Sequence, residues 1–284
     1  MKNILLIFLL IFLFSSFAKA QNIIKGTVLQ VKSSQPIGYV NIGVLGKING
    51  TVSDENGNFT LQIKSTDAMI KFSSIGFEAK VLTTEYLKSN KNIYLEPTSY
   101  SLKDIQIDAR KFGEPVRIGK RIKKLNTVWG WPESDHLGME IGIRIKIKKE
   151  TLLKSVHFGI HKKSADSILF RINIYDFKDG KVGENLLTKN IFVYAHEIKS
   201  YATVNLSKLN LIIHHDVMLT LERIEETVSE EDGWMFFNIK ENLKKTNIYY
   251  RNASQAEFHR GNEKEMGIVQ WHLGFYFMAK EAGM

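Results

Sequence analysis

Apolar and polar residues alternate with a period of two along most of this chain, and no other feature constrains its fold as strongly. The clearest run covers residues 141–147, where Ile alternates with Gly, Arg and Lys. Successive side chains of a β-strand point to opposite faces of a sheet, so this spacing predicts a half-buried antiparallel strand. Turn signals such as Asp179-Gly180 separate further runs. These lie at residues 23–31, 39–45, 58–63, 68–72, 169–175, 191–194, 218–221 and 235–239.

Helical patterns are almost absent, since only residues 84–89 suggest one or two helical turns. Many short strands with regular turns are typical of β-sandwiches and barrels. A length of 284 residues suits two modest domains, and 44% hydrophobic with 24% charged residues is the composition of a folded chain. The sequence therefore predicts an all-β protein with two β-sandwich domains.

The N-terminus has the features of a secretory signal peptide. Lys2 precedes an apolar run at residues 4–14, and Ala18-Lys19-Ala20 has the small-x-small pattern of a cleavage site. The run is shorter than the roughly 20 residues of a membrane-spanning helix. We expect cleavage after Ala20 and export to the periplasm, the outer membrane or the cell surface. With 0 Cys, the exported chain has no disulfides, thiol catalysis or cysteine-bound metal.

Positive charge is concentrated in one segment. The formal net charge is +9, and residues 110–124 contain seven basic residues and one acidic residue. Two Gly and one Pro in this segment are typical of a linker, so we predict a basic linker at residues 98–125. It is either a solvated tether or a patch that docks on an anionic surface such as lipopolysaccharide, phospholipid or acidic glycan. The docking residues would be Lys120, Arg121, Lys123 and Lys124.

Nucleic acid is not an expected partner. The chain is predicted to be exported, and Phe112 is the one aromatic residue in the basic segment that could stack on a base.

The first third of the chain has a distinctive order of turns and strands. The Asp side chain and the Gly of Asp54–Gly57 are suited to a tight turn, with Gly57 at positive φ, and Phe59 is then expected in a core. The characteristic stretches are residues 24–28 (IKGTV), 36–44 (PIGYVNIGV), 50–61 (GTVSDENGNFTL) and 72–77 (FSSIGF).

This order resembles the carboxypeptidase-like regulatory domain, over a predicted domain at residues 21–97. The resemblance implies a seven-stranded transthyretin-like β-sandwich that is not itself catalytic and is abundant in exported proteins of the Bacteroidota. The same module opens many TonB-dependent receptors, and residues 101–107 (SLKDIQI) resemble the strand that follows it there. The remaining chain is too short for a plug and a large barrel, so a transporter is not predicted.

The predicted second domain covers residues 126–284. Residues 170–187 resemble the central hairpin of jelly-roll domains from secreted adhesins and carbohydrate-binding modules, which implies a fold rather than a ligand. Trp129 and Trp131 are two residues apart and would share one face of an extended chain. They are candidates for an aromatic platform that stacks on sugar rings, and core packing is the alternative.

The sequence lacks three motifs of known catalytic centres. His-x-x-Glu, His-Glu-x-x-His and Gly-x-Ser-x-Gly are all absent, so we predict no catalytic residue, no bound metal and no cofactor. His214 and Asp216 could share one face of a strand, which leaves a weak possibility of a metal site.

Together these features predict an exported, non-catalytic, envelope-associated protein that binds glycan or another envelope protein through β-sandwich surfaces. One alternative is an accessory or docking component of an outer-membrane assembly of the TonB-receptor type or of a secretion assembly. The other is a peptidase-like hydrolase.

Overall fold

A computed structural model describes residues 22–63, 68–98, 111–122, 127–131, 137–163, 167–194, 201–227, 235–241, 247–261 and 271–283. The protein is mostly β-structure, arranged in two sandwiches. The all-β, two-sandwich fold class predicted from the alternating pattern is confirmed. The predicted signal peptide, at residues 1–20, lies outside the described residues.

The N-terminal sandwich contains seven strands and one short helix within residues 22–98. The elements are β1 (Asn22–Gln30), β2 (Asn41–Val44), β3 (Gly50–Val52), β4 (Asn58–Ile63), β5 (Met69–Ser73), β6 (Lys80–Thr83), α1 (Thr84–Ser89) and β7 (Asn92–Leu95). One sheet has the order β4-β1-β7 and the other β3-β2-β5-β6. Strands β1 and β7 pair in parallel, and the other pairs in this sandwich are antiparallel. Apolar side chains from both sheets form one core between them.

The turn between β3 and β4 has the predicted geometry. Gly57 has φ +77°, and the Asp54 carboxylate accepts hydrogen bonds from the backbone N–H groups of Asn56 and Asn58 at 2.9 and 2.8 Å. An added Cβ on Gly57 would lie 2.5 Å from the Val28 carbonyl oxygen, so this position has no room for a side chain. Phe59, which follows the turn, is buried as predicted and contacts Phe72 edge-on at 5.5 Å.

The C-terminal sandwich contains fifteen strands within the described residues. They are β8 (Phe112–Gly119), β9 (Thr127–Trp131), β10 (Glu140–Ile145), β11 (Thr151–Lys163), β12 (Ser167–Lys178), β13 (Lys181–Asn185), β14 (Ile191–Tyr194), β15 (Tyr201–Asn205), β16 (Ile212–Ile213), β17 (Val217–Thr227), β18 (Met235–Glu241), β19 (Ile248–Arg251), β20 (His259–Arg260), β21 (Trp271–Leu273) and β22 (Phe275–Ala282). A short 3-10 helix covers Ser207–Leu209.

Two antiparallel sheets face each other in this sandwich. The first has the order β13-β12-β17-β10-β19-β20, with β14 also paired to β12. The second has the order β21-β18-β11-β22-β8, with β15 and β16 paired to β11 and β9 paired to β18. The Ile residues of β10 point into the shared core, as the alternation predicts. The prediction of a half-buried strand is wrong at the start of β10, because Glu140 and Gly142 on its other face are buried as well.

Part of the predicted basic linker is a strand. Residues 112–119 form β8, which pairs antiparallel with β22 at the edge of the second sheet. Pro115 is compatible with this edge position because an edge strand leaves half of its backbone N–H groups unpaired. The Gly and Pro residues of this segment predicted a flexible linker, but residues 112–119 form an edge strand. Residues 99–110 lie outside the described residues.

The two sandwiches contact each other directly through the outer face of the β3-β2-β5-β6 sheet. Ser254 donates a hydrogen bond to Asn41 at 3.2 Å, and the Gln255 amide donates to Ser73 at 2.6 Å. An added Cβ on Gly50 would lie 2.5 Å from the Ser254 carbonyl oxygen, so the two backbones approach closely. Val52 also packs with residues of the C-terminal sandwich. The N-terminal sandwich is therefore docked on its neighbour rather than suspended from a tether.

Candidate functional site

The outer face of the second C-terminal sheet carries basic side chains over aromatic rings. We call it the arginine–tyrosine face, and it consists of Arg117, Arg121, His157, Tyr201 and Tyr276. Strand register creates it: Tyr276 pairs with Gly119 of β8 on one side and with His157 of β11 on the other. Residues that pair across strands have side chains on the same face, so one row of the sheet brings these rings together.

Two rings stack at the centre of this face. The His157 imidazole lies parallel to the Tyr276 ring, with centroids 4.4 Å apart and planes 5° apart. Hydroxyl groups hold both imidazole nitrogens, with Ser155 Oγ 2.9 Å from Nε2 and Thr203 Oγ1 2.9 Å from Nδ1. The Tyr201 ring meets Tyr276 edge-on at 5.5 Å. The rings therefore form a fixed base beneath the basic groups.

Two guanidinium groups lie over this base. The Cζ atom of Arg117 is 5.9 Å from the centre of the Tyr276 ring, and that of Arg121 is 5.8 Å from the centre of the Tyr201 ring. Such cation–π contacts restrict the arginine side chains while leaving their N–H groups exposed. The Tyr201 hydroxyl also accepts a hydrogen bond from the Ile122 N–H at 2.8 Å, which positions the chain that carries Lys120 and Arg121.

The chain segment that carries these cations has no acidic residue of its own. Residues 115–132 contain no Asp or Glu. Arg117, Lys120 and Arg121 make no ion pair within the described part of the chain, whereas Lys111 at the start of the same segment pairs with Glu150 at 2.5 Å.

Both histidines near this face resist protonation. Burial lowers the pKa of His157, and the positive charge of Arg121 lowers it further. Burial lowers the pKa of His272, and the charge of Lys120 lowers it further. These rings are therefore neutral at neutral pH, and the positive charge of the face comes from arginine and lysine.

We expect His157 to destabilise the fold in mild acid. The pKa of His157 in the folded protein is below the ordinary value of 6.5, so the unfolded chain binds its proton at a higher pH. The contribution of His157 to stability is therefore complete above pH 6.5 and is lost as the pH falls below that value. Ring NMR titration should give a depressed pKa for His157 that rises towards 6.5 in Arg121→Gln. An identical pKa in both proteins would contradict this electrostatic account.

The structure brings together some of the residues predicted for binding and leaves others outside its described part. Arg121 belongs to the arginine–tyrosine face and Lys120 precedes it in the chain, whereas Lys123 and Lys124 lie outside the described residues. Trp129 and Trp131 lie in β9, where they pair with Phe237 and Met235. Their side chains are outside the described part, so the Trp platform stays a prediction. Lys120 and Arg121 as docking residues also stay a prediction.

Sequence reasoning missed most of this face. Tyr276 lies between two Phe residues, so its neighbours suggest a wholly buried strand rather than an outward row. The usable signal was the short basic strand itself, because Arg117 and Gly119 alternate with Val116 and Ile118. Which strands lie beside it is a long-range property that no local pattern contains.

A second charged cluster is enclosed. The cross-strand register places Arg171, Glu222, Glu140 and Arg251 in one row across four strands, and we call them the buried charge cluster. Arg171 Nε donates to Glu222 at 2.9 Å, and Arg251 Nη2 lies 2.6 Å from the Glu140 carboxylate. The backbone carbonyl of Tyr39 and the side chain of Asn41 accept from Arg171 at 2.8 and 2.6 Å. Arg171 therefore connects the cluster to the N-terminal sandwich.

The two carboxylates of this cluster differ in acidity. Burial raises the pKa of Glu140, and the attraction of Arg251 only partly offsets it. Burial would also raise the pKa of Glu222. The positive charges of Arg171 and Arg251 have the larger effect, so the pKa of Glu222 is lowered. A pair of carboxylates with divergent pKa values is a feature of acid–base catalysis. Both side chains are 0% exposed, however, so this pair offers a substrate no approach.

Among the described residues, no three His, Asp or Glu side chains converge as metal ligands, and no helix has the length and apolarity to cross a membrane. Asp216, proposed above as a weak candidate with His214, instead binds Arg144 at 2.5 Å. His215 lies 2.9 Å from Asp176.

Comparison with known proteins identifies the N-terminal sandwich. Residues 24–107 match the family model of the CarboxypepD_reg-like domain. The chain is also 29% identical over 131 residues to the TonB-dependent receptor P3 of Formosa agariphila. That alignment covers 46% of this chain and 12% of the receptor. The predicted resemblance to a carboxypeptidase-like regulatory domain is therefore confirmed.

Proposed function

We propose that this protein is an exported, non-catalytic, envelope-associated protein that binds an anionic glycan through its arginine–tyrosine face. The observation that carries the proposal is the position of Arg117 and Arg121 over aromatic rings, with no acidic partner among the described residues. Guanidinium groups match carboxylate and sulfate groups with two parallel hydrogen bonds. Because the rings already restrict both side chains, less conformational entropy is lost on binding.

The assignment to the envelope has separate support. The regulatory-like domain belongs to a non-catalytic domain type, and the similar protein from Formosa agariphila is described as a TonB-dependent receptor. The N-terminal sequence has the pattern of a secretory signal. An exported protein meets acidic polysaccharides at the cell surface, which is the ligand class that the face suits.

The test compares an acidic with a neutral polysaccharide. Calorimetric titration of the mature chain should detect binding to alginate and none to dextran. The double variant Arg117→Gln/Arg121→Gln should bind alginate about tenfold more weakly, because each exposed charged contact contributes roughly 0.5–1 kcal/mol. The wild-type affinity should also fall steeply with added salt.

The matched control removes the same charge elsewhere. Lys178 and Lys181 are exposed at the β12–β13 turn, in the other sheet, so Lys178→Gln/Lys181→Gln should leave alginate binding nearly unchanged. Equal losses in the two double variants would show a nonspecific charge effect and refute the proposed site. Binding to anionic vesicles but not to alginate would identify a membrane surface as the ligand instead.

A docking role in an outer-membrane assembly is the second candidate. The 131 residues aligned with the TonB-dependent receptor are more than the regulatory-like domain at residues 24–107 contains, so the sequence similarity extends beyond that domain. Co-purification with an outer-membrane receptor after cross-linking in the native envelope would support this candidate, and a mature chain recovered alone would count against it.

A further inference from the structure

A cleft lies between the two sandwiches, on the side of the molecule where β1 and β4 approach the C-terminal sandwich. Its volume is about 630 Å³, and residues of both sandwiches line it. Sites for small ligands have volumes of roughly 300–1,000 Å³ and occur preferentially where domains meet. We call it the inter-sandwich cleft and consider its floor, one strained residue and its charged rim in turn.

The floor of the inter-sandwich cleft is apolar. Val52 of the N-terminal sandwich and Ile224 of the C-terminal sandwich are buried, and Leu137 is half-buried beside them. The same apolar cluster includes Tyr39 and Phe192. The floor therefore exists only because the two sandwiches are docked, and it suits an apolar side chain.

Tyr39, which lines the cleft, is held in a strained conformation. Its φ of +58° lies in the left-handed region, which bulky residues rarely adopt. Both sandwiches hold it there. Its N–H donates to the Asp54 carbonyl of the N-terminal sandwich at 3.1 Å. From the C-terminal sandwich, Arg171 donates to its carbonyl at 2.8 Å and Phe192 packs on its ring at 4.9 Å. Burial raises the pKa of Tyr39, and the charge of Glu225 raises it further, so the hydroxyl remains a hydrogen-bond donor. Strain that the surroundings maintain is typical of binding sites.

The rim of the cleft presents charges of both signs. Lys25 comes from the N-terminal sandwich and Glu225 from the C-terminal sandwich, and both are exposed. Neither forms an ion pair within the described ranges of the chain. The nearby Asp54 is less available to a ligand, because its carboxylate already accepts three hydrogen bonds from Asn56 and Asn58 in the turn. Lys25 and Glu225 are thus available to a ligand that carries both an anion and a cation.

We propose that the inter-sandwich cleft binds short peptides with free termini. The peptide carboxylate pairs with Lys25, the terminal ammonium pairs with Glu225, and an apolar side chain covers the floor formed by Val52 and Ile224. A polyanionic glycan does not suit this cleft, because Glu225 repels it and the floor offers it no hydrogen bonds. The cleft is therefore a second site, separate from the arginine–tyrosine face.

The experiment uses the tripeptide Ala-Leu-Ala as the probe and calorimetry on the mature chain as the measurement. Wild type should bind the tripeptide, and Glu225→Gln and Lys25→Gln should each bind it about fivefold more weakly. Acetylating the peptide amino group should weaken binding to wild type but not further weaken binding to Glu225→Gln. Amidating the peptide carboxyl should show the same pattern with Lys25→Gln.

Two controls separate this proposal from the glycan proposal and from general charge effects. The double variant Arg117→Gln/Arg121→Gln should bind the tripeptide as wild type does, whatever its affinity for alginate. Glu184→Gln, which removes an exposed charge on β13, should also bind it normally. The proposal is overturned if wild type does not bind the tripeptide, if acetylation and Glu225→Gln have additive effects, or if neutral maltotriose binds with the same dependence on Lys25 and Glu225.

Discussion

Replacing Arg171 with Met is expected to lower the free energy of unfolding by about 3–5 kcal/mol, the scale measured when one partner of a buried ion pair is removed. The guanidinium is almost completely buried and donates to Glu222, Tyr39 and Asn41. Without it, Glu222 is left with Arg251 at 3.8 Å as its nearest cation, and the contact between the sandwiches loses two hydrogen bonds. Urea unfolding of the protein, followed by circular dichroism, measures the loss.

A partly exposed arginine provides the matched control for this variant. Arg144 also pairs with a carboxylate, Asp216, but its side chain is 37% exposed, so Arg144→Met should cost about 1 kcal/mol or less. The loss in Arg171→Met should shrink in acid, because the pKa of Glu222 rises once its cation is removed and the protonated carboxyl tolerates burial. Equal losses for the two arginine variants would contradict the importance of the buried charge cluster.

Replacing Phe59 with Ala is expected to unfold the N-terminal sandwich partly or completely. The residue is 5% exposed, and truncation of a buried Phe costs about 3–5 kcal/mol. A domain of this size typically has about 5–15 kcal/mol of stability. Limited proteolysis with mass spectrometry should show new cleavage within residues 22–98 of the variant, and urea unfolding should show a shifted first transition.

The comparison variant removes the turn contact beside Phe59. Asp54→Ala should cost only about 1 kcal/mol, because the N–H groups it leaves are exposed and bind water instead. If Asp54→Ala destabilised the protein as strongly as Phe59→Ala, the turn rather than the core would determine the stability of this sandwich. Adding calcium should change the melting temperature of neither protein, since the Asp54 carboxylate is already occupied by hydrogen bonds.

Local sequence patterns predicted the parts of the structure that local physics determines. Strand β4 and its preceding turn were predictable because Asp54, Gly57 and Phe59 each have a role that depends on a few neighbouring residues. The helix α1 at residues 84–89 was predictable for the same reason: Thr83 caps it by accepting from the Tyr86 N–H at 3.2 Å. The error at residues 112–119 has a physical cause too, since Gly, Pro and basic residues are favoured both in linkers and in edge strands.

The candidate sites depend on contacts between residues far apart in the chain. Lys120 and Arg121 could be selected from charge alone, but the rings beneath the basic groups come from β11, β15 and β22. Glu140 and Glu222 are ordinary strand residues in the sequence, and nothing nearby indicates that they are buried. Strand register aligns them with Arg171 and Arg251, and docking of the N-terminal sandwich then covers Arg171.

The sequence by itself determined the alternating strands, the turn at residues 54–57 and the type of the N-terminal sandwich, because side-chain alternation and turn conformation are decided within a few residues. Only the tertiary structure decided which strands are neighbours, which charged side chains lose their water, and that the two sandwiches meet. Pairing and docking join residues more than a hundred positions apart, as Arg171 and Tyr39 are, and their energies depend on the burial that the complete fold creates.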